Sequence, residues 1–241
     1  METEQDYIPK SAMSIQAHPD DQEFTIAGTL AKWARGGCEI TSLILTSGDA
    51  GSNAEDKDAS YKPTLARVRE AEQLAANAVL GVQHTVFLHY PDGELQPTIE
   101  VRKAITREIR RYKPEVVLCG DPSVRFFGND YMNHPDHRAA ADAACDAVFP
   151  SAGTRLIFSD LLAEGLYPHA VKRVYIWGSD KQDVWIDTTV TIEIKIEALK
   201  KHASQMGDWD PSDEMRKWGA EAGKDHNMAY AESFRVMKLG E

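Results

Sequence analysis

Short apolar runs alternate along this chain with segments whose apolar residues recur at helical spacing, and that alternation limits its possible folds most severely. S-A-M-S-I-Q-A (11–17), I-T-S-L-I-L-T (40–46), T-V-F-L-H-Y (85–90) and E-V-V-L-C-G (115–120) read as strands. R-V-Y-I-W (173–177) and a short run at 184–186 read the same way. Between them, residues 23–35 place Phe24, Ala27, Leu30 and Ala34 on one helical face and stop at Gly36-Gly37. Residues 65–80 close on Gly81, 98–112 end before Lys113-Pro114, and 136–148 and 192–202 complete the helices. The pattern predicts an α/β chain with a mostly parallel sheet covered by helices on both faces. Residues 207–223, with Trp209 and Trp218, show no clean period and read as mixed loop and short helix. There is no repeat at solenoid spacing and no low-complexity linker, so 1–241 is expected to form a single domain.

Composition narrows the partners. A formal charge of −11 argues against nonspecific nucleic-acid binding, which needs clustered Lys and Arg to neutralise phosphates. No apolar run approaches the length of a membrane span. Cys38, Cys119 and Cys145 stand far apart without a C-x-x-C, so reduced thiols are expected. The acidic start, M-E-T-E-Q-D-Y-I-P-K, lacks the basic and apolar regions of a signal peptide, and a cytoplasmic setting is expected. A small-molecule partner is the default expectation.

Ligands of an open parallel sheet collect at the carboxyl ends of its strands. His18 follows the first strand, residues 47–51 the second, 91–93 the third and 121–137 the fourth, so all four segments fall on one edge. Two of them carry the same unusual text, A-H-P-D-D-Q-E-F at 17–24 and N-H-P-D-H at 133–137. Taken singly, each is also what an ordinary helix start looks like, with proline and acids in the first turn. Taken together they place His18 and Asp21 three apart, and His134 and His137 three apart, a spacing that shares a helix face. Two imidazoles and one carboxylate from two loops can hold a divalent ion and leave room for water, the usual plan of catalytic zinc. One imidazole and one acid would remain close by to move protons.

A-H-P-D-D-Q-E and H-P-D-H-R-A resemble the two signatures of the LmbE-like (PIG-L) zinc-dependent N-deacetylases. T-S-G-D-A-G-S (46–52), R-E-A-E-Q-L-A-A-N-A-V-L-G-V (69–82), P-D-G (91–93), K-I-E-A-L-K-K-H-A-S-Q (195–205) and A-E-S-F-R (231–235) extend the resemblance over most of the chain. It implies a Rossmann-like, three-layer αβα fold and hydrolysis of the acetyl group from an N-acetylated amino sugar, chiefly an N-acetylglucosamine conjugate. It further implies one Zn2+ per chain, with another divalent metal possible, held by His18, Asp21 and His137. Asp20 would be the general base, His134 would stabilise the oxyanion or protonate the leaving amine, and Asp136 would fix a neighbouring imidazole. Arg69 and Asp92 match positions that contact substrate, against plainer readings as a helix-face charge and a turn acid. Asp20 is not expected to share the ion with Asp21, because adjacent side chains in a helical turn point about 100° apart.

Several residues sit off the family pattern. Gln22 stands where many relatives carry an acid, and Glu23 supplies one a place later, as a support or a structural hydrogen bond. Met132 occupies a position that is tyrosine in some relatives, with Tyr131 one step back. His202, near a helix end, is read as structural. The long segment 121–133 suggests a lid or binding loop, with Arg125, Phe126, Phe127 and Tyr131 as a stacking wall. Two other functions compete with the hydrolase: a non-haem iron oxygenase using the same His/Asp/His set, and a ligand-binding module without chemistry. Carboxylates at the first helix start would repel the pyrophosphate such a module would bind. A homo-oligomer is possible, the tail tryptophans being one candidate contact.

Overall fold

The computed structural model describes residues 4–240; residues 1–3 and 241, the ends of the expected single domain, lie outside the described residues. Its strands are β1 (Ser11–Gln16), β2 (Glu39–Thr46), β3 (His84–Tyr90), β4 (Val116–Gly120), β5 (Phe126–Phe127), β6 (Tyr131–Met132), β7 (Arg173–Trp177), β8 (Val184–Asp187) and β9 (Ala231–Lys238). Seven of them join in the order β3-β2-β1-β4-β7-β9-β8, while β5 and β6 form a hairpin of their own. β1 runs parallel to both β2 and β4, and β4 runs parallel to β7. β9 lies antiparallel between β7 and β8. The mostly parallel sheet matches the expectation; the strand at 231–238 was not anticipated.

Alternate residues of a strand face opposite sides of the sheet, and two apolar clusters form accordingly. Met13, Ile15, Leu43, Leu45 and Val117 face α4 (Ile99–Tyr112) and α5 (Pro135–Asp146), meeting Val101, Ile105, Ile109 and a row of alanines from Ala139 to Ala144. Ala12, Ile40, Val116 and Leu118 face α2 (Ala27–Arg35) and α3 (Lys62–Leu80), meeting Leu30, Trp33, Ala76 and Leu80. Thr98 caps α4 by accepting the amide of Val101 at 3.3 Å.

Two departures from the periodicity are instructive. The helix expected over 23–35 is two helices, α1 (Asp21–Thr25) and α2, broken at Ile26 with φ −126°. The break is stabilised by Glu232, whose carboxylate accepts the amides of Gly28 at 2.9 Å and Thr29 at 2.7 Å. Those amides open α2, where unpaired donors seek an acceptor. The helix expected over 192–202 ends at Leu199 as α6 (Ile192–Leu199), and α7 (Ala203–Met206) follows. The tail contains α8 (Ser212–Gly223), whose buried residues are Met215, Gly219 and Gly223.

The chain runs outward from β1 through β2 and β3, then returns to lay β4 on the other flank of β1. Connections that leave in opposite directions open a crevice at the carboxyl ends of β1 and β4. His18 lies two residues beyond β1, and the segment after β4 leads into α5. The fold therefore delivers both H-P-D stretches to the same crevice.

Candidate metal centre

His18 is buried, at 8% exposure, where β1 gives way to α1. Pro19 does not start the helix. Asp20 is its cap, in the left-handed region at φ 94°, and Asp21 is the first helical residue. The i,i+3 helical geometry expected for His18 and Asp21 is thus replaced by a turn. Asp21 folds its carboxylate back so that Oδ2 accepts the amides of Ala17 at 3.1 Å and His18 at 2.9 Å. The same oxygen lies 3.6 Å from His18 Nδ1, and Oδ1 lies 3.0 Å from His137 Nε2. Asp20 points elsewhere because of its left-handed backbone and its partner: Oδ2 is 3.0 Å from Arg69 Nη2. Its amide donates to Gln73 Oε1 at 3.0 Å. Burial, opposed by Arg69 and reinforced by Asp21, pushes the Asp20 carboxyl up to about 6.

The second stretch is a helix start. His134 caps α5 and Pro135 takes its first position. The amide of Asp136 donates to His134 Nδ1 at 3.2 Å. Burial, with the nearby His18 and His137, lowers the His134 pKa. Fully buried Asp136 accepts the amides of Gly93 at 2.7 Å and Leu95 at 3.3 Å, and its Oδ2 lies 3.4 Å from His18 Nε2. Asp92 Oδ1 stands 3.0 Å from that same nitrogen, and Asp92 Oδ2 accepts the amide of Ala50 at 2.8 Å. Burial would raise the Asp92 pKa, but His18, the Ala50 amide and Arg69 outweigh it and hold the group at about 2. His137 Nδ1 faces Asn133 Oδ1 at 3.3 Å, and its ring stands 6.4 Å from that of Trp177.

His18 therefore has a different neighbourhood at each ring nitrogen: Asp21 at Nδ1, and Asp92 with Asp136 at Nε2. Ligands about 2.0–2.2 Å from a tetrahedral zinc stand about 3.3–3.6 Å apart. The 3.6 Å between Asp21 Oδ2 and His18 Nδ1 falls at the edge of that range, while the 3.0 Å contact with His137 Nε2 is shorter and is made by the other carboxylate oxygen, Oδ1. Among the described residues two trios bring donor atoms within 4.8 Å of one another, His18–His134–His137 and His18–Asp92–Asp136; both include His18 and neither includes Asp21.

Arg69, on α3, is 4% exposed rather than a solvated helix charge. Besides Asp20, it donates to the carbonyls of Pro19 at 2.6 Å and Gly48 at 2.9 Å, tying the first loop to T-S-G-D-A-G-S. Behind α1 lies a buried polar cluster only partly visible in the sequence. Gln73 and Gln22 donate to Glu23 Oε1 at 2.9 Å and 2.8 Å, and Gln22 also donates to Asn77. His202 Nε2 is 3.3 Å from Glu23 Oε2, both side chains fully buried. Burial alone would lower the His202 pKa; Glu23 and Asp20 outweigh it and raise it. Its partner is thus a carboxylate, while the helix-end reading fails because α6 stops at Leu199.

A cavity of about 1010 Å³ opens beside Asp21 and His137. Phe127, Asp130 and Tyr131 of the β5–β6 hairpin form one wall, Trp177 another, and Met215 and Trp218 of α8 the far side. Arg125 and Phe126 are not among its lining residues. Tyr131 lies in this wall at 54% exposure. All three cysteines are free thiols. Among the described residues no helix is long and apolar enough to cross a membrane.

A family model described as PIG-L, GlcNAc-PI de-N-acetylase, matches residues 13–148. Diacetylchitobiose deacetylase of Thermococcus kodakarensis is 32% identical over 233 residues, covering 95% of this chain and 83% of that protein. The probable N-acetyl-alpha-D-glucosaminyl L-malate deacetylase 2 of Bacillus anthracis is 27% identical over 58% of this chain and 59% of its own length. Among solved structures, N,N'-diacetylchitobiose deacetylase of Pyrococcus horikoshii superposes with a TM-score of 0.85 at 28% identity, covering 95% of this chain and 84% of that one.

Proposed function

The chain belongs to the PIG-L, or GlcNAc-PI de-N-acetylase, family, and we propose that it is a zinc hydrolase that removes acetyl from the nitrogen of an N-acetylglucosamine conjugate. The relatives' names carry the substrate class: each acts on an N-acetylated glucosamine derivative. The observation that carries the mechanism is the division of labour between adjacent acids. Asp21 lies between two imidazoles, while Asp20 is turned away from them and held by Arg69. The sheet and the relatives give no support to a facial-triad oxygenase or to a module without chemistry.

His18 Nδ1, Asp21 and His137 Nε2 would hold the ion, which would bring the pKa of a water toward about 7 and polarise an amide carbonyl. Asp92 and Asp136 accept the proton on His18 Nε2 and thereby leave Nδ1 as a ligand. Asp20 takes the proton of the attacking water at Oδ1, since Oδ2 is engaged by Arg69. It returns that proton to the glucosamine nitrogen as the carbon–nitrogen bond breaks, releasing acetate and amine. His134 accepts the Asp136 amide at Nδ1, so its proton resides on Nε2, which can donate a hydrogen bond to the oxygen of the tetrahedral intermediate while keeping that proton. Arg69 and Asp92 serve the sugar indirectly in this reading, by fixing Asp20 and His18. One cavity lined from Asp21 to Ser233 supports treating the chain as a single domain. The free thiols suit a reducing compartment, the cytoplasm.

The test is amine release from a panel of N-acetylated sugars, run beside metal analysis and the Asp20→Ala variant. Zinc-dependent release that Asp20→Ala abolishes is expected. Full activity in a metal-free preparation, or in Asp20→Ala, would overturn the assignment.

A further inference from the structure

The cavity is larger than one N-acetylglucosamine ring needs, and its outer part has a consistent chemistry. From Asp21 and His137 it extends past Trp177 to Met215, Trp218 and Ala222 on and near the inner face of α8. A second hollow of about 390 Å³ continues from there and shares Gln182, Trp218, Ala222 and Ser233 with the first. Trp185 and His226 line it, their rings stacked at 3.7 Å with 18° between planes. Trp218 is therefore the divider between two compartments, and 47% of its surface remains open to them and to solvent. Flat aromatic faces of this kind offer large apolar contact to the C–H faces of sugar rings while polar edges stay wet.

Charge in the outer part has one sign. Asp130 and Glu214 line the first compartment, and Glu221 and Asp225 the second. Lys195 is the cavity's sole Lys or Arg among the described residues. It is neutralised by Glu232, with Nζ 2.7 Å from Oε1, and both side chains are buried. An anionic group attached to the sugar would meet carboxylates with no opposing charge, whereas hydroxyls or an ammonium would not be repelled.

We propose that these two compartments form an aglycone subsite for a chain of uncharged or cationic sugars, such as an oligomer of N-acetylglucosamine, and select against anionic aglycones. Trp218 stacks the ring next to the reacting one, and Trp185 with His226 receives a further ring. This rests on the deacetylase reading and narrows its substrate class.

The zinc-loaded enzyme would be assayed for amine release from N-acetylglucosamine, its β-linked dimer and trimer, and N-acetylglucosaminyl malate. The expected order of kcat/KM is trimer, then dimer, then monosaccharide, with the malate conjugate about tenfold or more below the dimer. Trp218→Ala lowers the trimer-to-monosaccharide ratio of kcat/KM by about tenfold, Trp185→Ala lowers the trimer-to-dimer ratio, and Trp218→Phe restores most of the first loss. Glu214→Gln combined with Glu221→Gln raises turnover of the malate conjugate relative to the dimer. Circular dichroism checks folding, and the Phe variant keeps the test valid if the Ala variant does not fold. Equal kcat/KM along the sugar series, or a preference for the malate conjugate, would overturn the subsite while leaving the deacetylase intact. No amine from any substrate would overturn both.

Discussion

Arg69 lies on a helix 49 residues after Asp20, yet its Nη2 is 3.0 Å from the Asp20 carboxylate. The same guanidinium fastens Pro19 and Gly48 by their carbonyls, so one side chain sets the proposed base and the loop beside it. Arg69→Ala leaves the partly buried Asp20 carboxylate without its cation, which should cost less than the about 3–5 kcal/mol of a fully buried pair. Urea denaturation should report that loss, and kcat should fall more than KM rises. Arg69→Lys keeps the charge but cannot span three acceptors, so it should recover stability better than turnover.

Gly48 tests the same junction from the other side. Its φ is +65°, and a β-carbon built there would collide with the Arg69 guanidinium. Gly48→Ala should therefore reproduce much of the Arg69→Ala loss in kcat while leaving the zinc content near that of the parent, as measured by plasma mass spectrometry.

Metal content should follow Asp21 more than Asp20. Asp21→Ala removes the carboxylate between His18 and His137, and zinc should fall from about one per chain to near none. Asp20→Asn should retain zinc and lose about 10²–10⁴-fold in kcat, the range for a displaced general base. Chelation of the parent should lower Tm, since an ion that binds only the folded state stabilises it.

Glu232 couples the sheet to the first helical layer. It accepts the amides of Gly28 and Thr29 and an ammonium proton from Lys195. Glu232→Ala leaves Lys195 buried without a counter-charge and should cost about 3–5 kcal/mol in denaturant unfolding. The double variant with Lys195→Met should be more stable than Glu232→Ala alone, because it removes the orphaned cation.

Acid should weaken the attachment of the amino-terminal residues. Burial would raise the Glu4 pKa, but the Tyr175 hydroxyl, Lys238 and Arg173 outweigh it and hold it below the ordinary value of 4.5. A depressed folded pKa contributes stability that is complete above the unfolded value and disappears as pH falls through the folded one. Stability measured downward from about pH 5 should therefore fall less steeply in Glu4→Gln than in the parent.

The strands from β1 to β4 and β7 were legible because their apolar residues are contiguous and punctuated by Gly and Pro. Both H-P-D stretches were legible as functional text because loops after consecutive parallel strands share an edge. α8 was hidden for a physical reason: its buried positions are Met215, Gly219 and Gly223, and glycine gives no hydrophobic signal even where it packs tightly. A β-carbon at Gly219 would stand 3.3 Å from that of Tyr230, and one at Gly223 would collide with the Met228 carbonyl. β9 was hidden because its buried acid, Glu232, makes sense only beside Lys195 and the start of α2. Asp92 and Asp136 could be placed at the edge, but their convergence on one nitrogen of His18 depends on tertiary geometry. Tyr131 and Trp177 belong to walls that no local spacing records.

The insertion of β9 between β7 and β8 sets an order on assembly. Residues 231–238 follow both strands they join in the chain, and Glu232 can finish α2 only when they are in place. Without those residues β8 has no neighbour in the sheet among the described strands, and Lys195 lacks the carboxylate of Glu232. A strand that comes after both of its partners in the chain acts as the latch between them.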